Sequence, residues 1–385
     1  MRHDMKILVA PDKFKGSLGA REVAENIAAG LREALPEAAI VLLPIADGGE
    51  GTAEVICAAA HGEWISCPVH DANGGPIAAR YAMLPDGETA VLETSEAIGL
   101  WRIPAEERAP LRASSLGAGE MLLHAARRGA KKLIVGLGGS ATNDGGFGMA
   151  RALGFRFLDR KGAELTGTVA ELRGLARIAP PLLPEFPTII AAVDVQNPLL
   201  GKRGATRVFG PQKGSSVAEL ELLEEALTQL ADIVARDFGV DHRDVPGAGA
   251  AGGLGFGLLS LASATLRPGF DVVAEAIGLE DAVCNADVVI TGEGRMDAQT
   301  LEGKAPAGIA VLARRHRKKI YAIVGQLEDS HELRGLFDGI SVLSVSNFDE
   351  AIAAAPRLLR ACARELAAAA SLRSARGKTS PSPYT

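Results

Sequence analysis

The chain has few aromatic residues and few cysteines, and each shortage disfavours a class of protein. Phe, Trp and Tyr make up 4% of the 385 residues, too few for a protein that stacks nucleic-acid bases. The cysteines show no paired spacing, so we expect buried thiols in the reducing cytoplasm rather than a disulfide framework. No apolar run has the length of a membrane span, and no signal-peptide core precedes the first strand.

The chain also lacks an excess of positive charge. Its net charge of −6 and pI near 5.8 argue against a nucleic-acid partner. Two basic clusters, at 127–132 and 314–319, each end a predicted helix, where cations complement the helix dipole. An apolar content of 47% and a mean hydropathy of +0.14 indicate a globular protein, and the length favours two domains.

Familiar nucleotide-binding motifs are absent or out of context. Residues 247–252 match G-x-G-x-x-G, but a polar loop precedes them instead of a strand, so a small-residue helix start that permits close packing or ligand approach fits better. The Gly377-Lys378-Thr379 sequence looks like the end of a P-loop, but Leu372 stands where its first glycine is needed. The histidines show no metal-ligand spacing, which disfavours a zinc site.

The two ends of the chain alternate strands and helices. Continuous apolar runs predict strands at 7–10, 40–45, 287–290, 320–324 and 340–345, with helices between them and a long final helix at 349–372. Buried strands of this kind, separated by helices, indicate a parallel sheet covered on both faces.

The middle of the chain has a different pattern. Predicted strands at 64–69, 77–83 and 89–93 are separated only by turns, which requires antiparallel pairing. We therefore predict an α/β protein of two α/β domains. A Rossmann-like domain with a parallel sheet comprises 1–72 and 286–373, an inserted mixed-sheet domain comprises 73–285, and the polar tail at 374–385 is expected to be disordered.

Acidic loops, three of them rich in glycine, follow four predicted strands. They begin at Asp47, Gly138, Asp194 and Thr291. Ligand sites of open α/β sheets gather beyond the carboxyl ends of strands. The 138–146 loop is made of glycine, hydroxyl and amide residues before a helix, which suits a phosphate. The alternative for each glycine is a tight turn with positive φ.

The remaining polar residues suit phosphoryl transfer. That reaction needs N–H groups and lysines around phosphates, carboxylates for Mg²⁺ and an acceptor for a hydroxyl proton. Lys13 and Lys15 follow the first strand, and Lys213 lies in a tight loop. For Lys15 or Lys213 alone, a solvated surface lysine is the alternative.

Long sequence blocks carry a resemblance to a known family. They are APDKFKGSL, PIADGGEGT, SSLGAGE, GLGGSATNDGG, DVQNPL, VFGPQKG, PGAGAAGGLG and ITGEGRMDAQTLEGKAP. The chain resembles bacterial glycerate kinases of the type I family from about residue 5 to residue 370. Lys13 stands where serine is frequent in the family, so Lys15 is the better candidate.

The resemblance implies ATP-dependent, Mg²⁺-requiring phosphorylation of D-glycerate. It favours 2-phosphoglycerate as product and leaves 3-phosphoglycerate open. It also implies a two-domain protein with its active site in the cleft between the domains. The expected partners are D-glycerate and ATP, with no nucleic acid and no membrane, and the protein is either a monomer or a homodimer.

Roles for individual residues follow as hypotheses. Asp194 is the first candidate for the general base, since it ends a buried strand and Asn197 can orient it, and Asp47 is the second or a Mg²⁺ ligand. The expected substrate contacts are Lys15, Ser17, Gly48, Gly49 and Asn197. The expected nucleotide contacts are Gly138, Gly139, Ser140, Thr142, Asn143, Lys213 and Gly292. The expected metal ligands are Glu293 and Asp297. For each carboxylate, a turn or helix-cap acceptor is the alternative.

Two other functions stay open at this point. An NAD-linked dehydrogenase of small hydroxy acids would rest on the G-x-G-x-x-G match at 247–252. A non-catalytic glycerate-sensing regulator would bind the ligand without forming ADP. The kinase is favoured over both.

Overall fold

The computed structural model describes residues 5–181, 186–343 and 348–369. The chain divides into two compact units, the first formed by Met1–Ala46 with Ala274–Thr385 and the second by Asp47–Val273. Among the described residues, no helix is both long enough and apolar enough to cross a membrane.

The strands and helices of the described residues are numbered in chain order. The strands are β1 (Lys6–Val9), β2 (Ala39–Leu42), β3 (Glu63–His70), β4 (Pro76–Met83), β5 (Thr89–Glu93), β6 (Lys132–Gly136), β7 (Arg156–Asp159), β8 (Leu175–Ala179), β9 (Thr188–Val193), β10 (Thr265–Pro268), β11 (Val288–Met296), β12 (Lys319–Leu327) and β13 (Gly339–Val342). The α-helices are α1 (Ala20–Ala34), α2 (Thr52–Ala60), α3 (Ser95–Ile98), α4 (Leu116–Arg127), α5 (Phe147–Ala152), α6 (Ala205–Phe209), α7 (Val217–Phe238), α8 (Ala250–Leu261), α9 (Gly269–Ala276), α10 (Leu279–Asn285), α11 (Ala305–Arg315), α12 (His331–Leu336) and α13 (Phe348–Ala369). Short 3₁₀ helices lie at Leu100–Arg102, Ala105–Glu107, Val169–Gly174, Pro211–Lys213 and Ala298–Glu302.

The first unit is built on a five-stranded sheet in the order β13-β12-β11-β1-β2. Every pairing in it is parallel. Ile7 and Val9 of β1 are fully buried and share a core with Ile27 and Leu31 of α1. The apolar strand interiors produce this arrangement, because a parallel strand buries both of its faces. The predicted parallel α/β sheet is confirmed.

The second unit contains a six-stranded sheet in the order β10-β9-β6-β5-β4-β3 and a small β7-β8 sheet. The β3–β4 and β4–β5 pairings are antiparallel, as the turn-separated strands predicted. The remaining pairings are parallel. Tyr81, Leu92 and Leu133 lie in one core with Leu230 of α7. The second unit is therefore a mixed-sheet α/β unit.

The unit boundaries differ from the predicted boundaries at 72 and 286. The contacts divide the chain after Ala46 and after Val273. The physical reason is packing: α2 contacts β4 and β5, and β3 completes the six-stranded sheet, so the segment from 47 to 72 belongs to the second unit. Likewise, α10 packs against α11 and β1, which assigns it to the first unit.

One predicted loop is a strand. Gly292 was expected to begin a loop after residue 290, but β11 continues to Met296. The reason is pairing with β12, whose register runs from Lys319 opposite Val288 to Leu327 opposite Met296. The expectation that Gly292 lies in a loop is therefore wrong, whereas its contact with the nucleotide stays a prediction.

The cysteines are less uniform than predicted. Cys57 and Cys67 are buried, and burial raises the pKa of the Cys67 thiol to about 11. Cys362 is partly buried, whereas Cys284 is exposed. Cys284 lies near the end of α10 with its Sγ 3.2 Å from Nδ1 of His316, so the prediction of a buried thiol is wrong there. The tail at 374–385, predicted to be disordered, lies outside the described residues.

Candidate active site

Three loops of the second unit meet around Gly49. A Cβ atom placed on Gly49 would lie 3.3 Å from Oδ1 of Asp47 and 3.8 Å from Oδ2 of Asp194. One placed on Gly138 would lie 3.2 Å from the Gly49 Cα. The structure therefore brings together both predicted catalytic carboxylates and the start of the predicted phosphate loop. Gly48 has a φ of +99°, which explains the glycine there.

Asp47 also has the local role that the sequence left open. Its Oδ1 accepts a hydrogen bond from the backbone N–H of Gly49 at 3.3 Å. Asn197 donates from Nδ2 to the carbonyl oxygen of Arg203 at 2.7 Å and so closes its own loop. That Asn197 orients Asp194 stays a prediction.

The loop from Gly138 to Asn143, here called the Ser140 loop, presents unpaired backbone donors. The N–H of Ala141 donates to the carbonyl of Ile98 at 2.8 Å. Within the described part of the chain, the other backbone N–H groups of this loop have no protein acceptor; they are those of Gly138, Gly139, Ser140, Thr142 and Asn143. Native proteins rarely leave such groups without a partner near buried side chains, so the loop is suited to an anion.

Two side chains of the Ser140 loop have buried polar atoms without protein partners among the described residues. Thr142 and Asn143 have no exposed surface. In the described residues, Oγ1 of Thr142 and Oδ1 of Asn143 have no hydrogen-bond partner, whereas Nδ2 of Asn143 donates to Oγ1 of Thr206 at 2.9 Å. Buried polar atoms without partners are uncommon in native proteins and often mark functional sites.

A buried carboxylate fixes the end of the Ser140 loop. Oδ2 of Asp144 accepts hydrogen bonds from the N–H and Oγ–H of Ser115, each at 2.8 Å, and from the N–H of Gly148 at 3.0 Å. Its Oδ1 accepts from the N–H of Gly146 at 3.1 Å. No role was predicted for Asp144, although a carboxylate before a helix is a known capping signal.

The buried side chain of Lys213 contacts the Ser140 loop. Its side chain is 3% exposed, and Nζ donates to the carbonyl oxygen of Thr142 at 2.6 Å and to Oγ of Ser140 at 3.1 Å. Burial lowers the pKa of Lys213 to about 7, and the negative charge of Asp144 opposes this shift in part. The alternative of a solvated surface lysine is wrong, while direct contact with nucleotide phosphates stays a prediction.

The first unit holds a second group of predicted site residues. The N–H of Asp12 donates to the carbonyl oxygen of Gly292 at 2.8 Å. A Cβ on Gly294 would lie 3.3 Å from the Lys15 backbone nitrogen, so β11 runs beside the loop that carries Lys15 and Ser17. Lys15 is exposed and Ser17 is partly exposed.

Glu293 is the buried carboxylate of this group. It is 6% exposed and accepts a hydrogen bond from Oγ1 of Thr300 at 2.8 Å. Burial raises the pKa of Glu293 to about 7; the Thr300 bond and Lys304 lower it, and the charges of Asp12 and Asp297 raise it further.

Asp297 has more polar partners than Glu293. Its Oδ1 accepts from the N–H of Gln299 at 3.0 Å, its Oδ2 lies 3.3 Å from Nε of Arg295, and Nζ of Lys304 lies 3.7 Å from Oδ1. No group of three or more metal-ligating side chains exists among the described residues. Mg²⁺ that arrives on nucleotide phosphates needs only one or two carboxylates, so metal binding by Glu293 and Asp297 stays a prediction.

The G-x-G-x-x-G match at 247–252 serves packing. Ala251, Gly252 and Gly253 have positive φ angles of 52°, 70° and 86° in the first turn of α8. The N–H of Gly145 donates to the Gly252 carbonyl at 3.1 Å, and a Cβ on Gly253 would lie 2.9 Å from the Gly145 Cα. The interpretation as a small-residue segment that permits close approach is confirmed.

Comparison with protein families gives one match across almost the whole chain. The model of the glycerate kinase family matches residues 7–371. The chain belongs to the glycerate kinase family. The resemblance inferred from the sequence blocks is confirmed.

Individual relatives agree with the family assignment. The chain is 41% identical to a glycerate 2-kinase of Escherichia coli K12 over 378 residues, covering 94% of this chain and 97% of the relative. It is 42% identical to a glycerate kinase of Bacillus subtilis 168 over 377 residues, covering 96% and 98% of the two chains. A crystal structure described as glycerate kinase 2 of Salmonella typhimurium LT2 superposes with a TM-score of 0.86 at 40% identity and covers 97% of this chain and 100% of that one.

Proposed function

We propose that the enzyme transfers the γ-phosphoryl group of ATP to the 2-hydroxyl of D-glycerate and forms 2-phosphoglycerate and ADP. The observation that carries this proposal is the Ser140 loop. Five of its backbone N–H groups have no acceptor among the described residues, and its first glycine adjoins Gly49 of the Asp47 loop, which Asp194 also approaches. The 2-hydroxyl is chosen because the relative from Escherichia coli is named a glycerate 2-kinase.

The Ser140 loop would bind the nucleotide phosphates. Phosphoryl transfer requires little covalent help from a protein, so its rate depends on positioning and on donors aimed at the phosphoryl oxygens. Lys213 holds the loop through Thr142 and Ser140, and Asp144 fixes the start of the following helix. The loop is therefore shaped before the nucleotide arrives, which lowers the cost of binding.

Asp194 would accept the proton of the attacking hydroxyl. Its Oδ2 lies 3.8 Å from the position that a Cβ atom on Gly49 would occupy, and the glycine leaves that position empty. Asp47 lies on the same loop as Gly49 and is the second candidate for the base. Lys15 and Ser17 stay proposed contacts of the glycerate carboxylate, because a cation and a hydroxyl match its oxygens.

Mg²⁺ would be held by Glu293 and Asp297 together with the phosphates of ATP. When bound, the ion neutralises negative charge on the transferred phosphoryl group. Charging Glu293 requires loss of its proton, which its pKa of about 7 permits near neutral pH.

The proposal is tested by ADP release from the purified protein. We expect ADP to form only when D-glycerate and MgATP are both present and EDTA to abolish it. ADP release that D-glycerate does not change, with no effect of EDTA, contradicts the kinase. Reduction of NAD⁺ by D-glycerate without ATP would instead favour the dehydrogenase.

A further inference from the structure

Trp101 is an exposed aromatic side chain in a protein with few of them. It lies in the 3₁₀ helix Leu100–Arg102, and its side chain is 63% exposed. It is the one aromatic residue among the large exposed hydrophobic side chains of the described residues. Leaving a large indole in water forfeits the stabilisation that burial gives, so its position calls for an explanation.

The position of Trp101 is fixed by the Ser140 loop. Gly99 pairs with Ser140 in an antiparallel bridge, and the N–H of Leu100 donates to the Gly139 carbonyl at 2.7 Å. Trp101 follows these two residues directly. The indole is thus attached by backbone hydrogen bonds to the loop proposed to bind phosphates.

One face of the indole is already covered. The Arg102 guanidinium carbon lies 4.3 Å from the ring centroid, and Nη2 of Arg102 lies 3.5 Å from Oε2 of Glu96. A Cβ on Gly99 would lie 2.5 Å from Nε1 of the indole, so the absence of a side chain at Gly99 lets the ring lie against the backbone. With Arg102 on one face and 63% of the side chain exposed, the ring keeps a large surface open to solvent.

We propose that Trp101 is the platform on which the nucleotide base stacks, with Arg102 behind the ring. An indole face held beside a phosphate-binding loop matches a ligand that carries an aromatic base and a polyphosphate. A cation over the rear face strengthens the arrangement electrostatically. This inference rests on the proposed binding of nucleotide phosphates by the Ser140 loop and adds the residue that distinguishes a nucleotide from a bare polyphosphate.

The chain provides a matched control. Trp64 of β3, the other tryptophan, is partly buried and has the Arg80 guanidinium carbon 4.2 Å from its ring centroid. The same cation and ring pair occurs there on a strand at the far edge of the six-stranded sheet. A substitution of Trp64 therefore measures how the loss of such an Arg–Trp pair affects the kinetics when the pair lies away from the Ser140 loop.

The kinetic test compares Trp101→Ala, Trp101→Phe and Trp64→Phe. Stacking on an aromatic side chain corresponds to about a 5- to 150-fold change in affinity. We expect Trp101→Ala to raise the KM for ATP by that factor with the KM for D-glycerate unchanged. Trp101→Phe should recover most of the loss, and Trp64→Phe should match the wild type. An unchanged KM for ATP in a folded Trp101→Ala protein overturns the proposal.

Fluorescence separates this inference from the proposed function. In the Trp64→Phe protein Trp101 is the single tryptophan, and ATP and ADP should quench its fluorescence whereas inorganic tripolyphosphate should not. Equal responses to tripolyphosphate and ATP, or none to either, overturn the platform. Quenching by ATP in a protein that shows no glycerate-dependent ADP release would support base stacking on Trp101 and contradict the kinase function. Normal kinase turnover without quenching would support the kinase function and contradict base stacking on Trp101.

Discussion

Lys213 in one unit and Glu293 in the other are buried ionisable groups whose pKa values meet at about 7 from opposite directions. Burial is the largest cause in both, because it disfavours the ammonium of the lysine and the carboxylate of the glutamate alike. Their partners differ: Lys213 holds a backbone carbonyl and a hydroxyl of the Ser140 loop, whereas Glu293 meets one hydroxyl, that of Thr300. From this contrast we infer that Lys213 organises the Ser140 loop and that the Glu293 carboxylate is available to a ligand.

The largest effect is expected at the proposed base, in the unit that contains Lys213. Asp194→Asn keeps the side-chain shape but removes the proton acceptor, so kcat should fall by about 10²–10⁴-fold. Circular dichroism should show an unchanged fold. If Asp194→Asn turns over normally while Asp47→Asn abolishes activity, the two roles must be exchanged; if both variants are active, Glu293 and Asp297 are the next candidates.

Lys213→Met tests whether the buried lysine organises the Ser140 loop. Loss of its bonds to Thr142 and Ser140 should misplace the loop and lower kcat/KM for ATP by about 10²-fold. Lys202→Met, at an exposed lysine of the same unit, is the matched control and should have no effect. Normal kinetics in Lys213→Met would show that Lys213 does not position the Ser140 loop.

Glu293→Gln tests the other half of the contrast. The amide cannot carry the negative charge that a magnesium ion requires, so the Mg²⁺ concentration at half-maximal activity should rise by about tenfold or less. The KM for D-glycerate should stay constant. The measurement is a Mg²⁺ titration at fixed free ATP, and an unaltered Mg²⁺ requirement would contradict a metal-binding role.

A further expected effect, small within any one pH unit, is a pair of opposite pH dependences of stability. Between pH 7 and 10.5 the unfolded chain holds a proton on residue 213 that the folded chain lacks, so the free energy of unfolding should rise by about 1.4 kcal/mol per pH unit relative to Lys213→Met. Between pH 4.5 and 7 the folded chain holds a proton on Glu293 that the unfolded chain lacks.

Relative to Glu293→Gln, the wild type should therefore lose stability by a similar amount per unit as the pH rises from 4.5 to 7. Urea unfolding at several pH values, without Mg²⁺ or nucleotide, measures both differences. Parallel curves for wild type and variant would show that the corresponding pKa is not shifted.

Strands and pairing direction could be predicted because they depend on local patterns. The apolar runs that became β1, β6 and β9 are continuous, and the turns after β3 and β4 are short. The full extent of β11 could not be predicted, because Gly292 and Gly294 have low strand propensity and are kept extended by pairing with β12.

The site was predictable in part for the same reason. Loops that carry Asp47, Gly138 and Asp194 were visible in the sequence, and the fold brings them together. The burial of Lys213 was not visible, since its partner Thr142 is 71 positions away in the chain. No role was predicted for Asp144, because its partner Ser115 is 29 positions away in the chain.

The central claim is the transfer of a phosphoryl group to the 2-hydroxyl of D-glycerate. NMR of the product formed from D-glycerate and MgATP tests it most directly, because the phosphorus couples to the proton on the carbon that carries it. We expect 2-phosphoglycerate, with coupling to the single C2 proton. Coupling to the two C3 protons would identify 3-phosphoglycerate and contradict the assigned acceptor, and the absence of any phosphoglycerate would contradict the kinase itself.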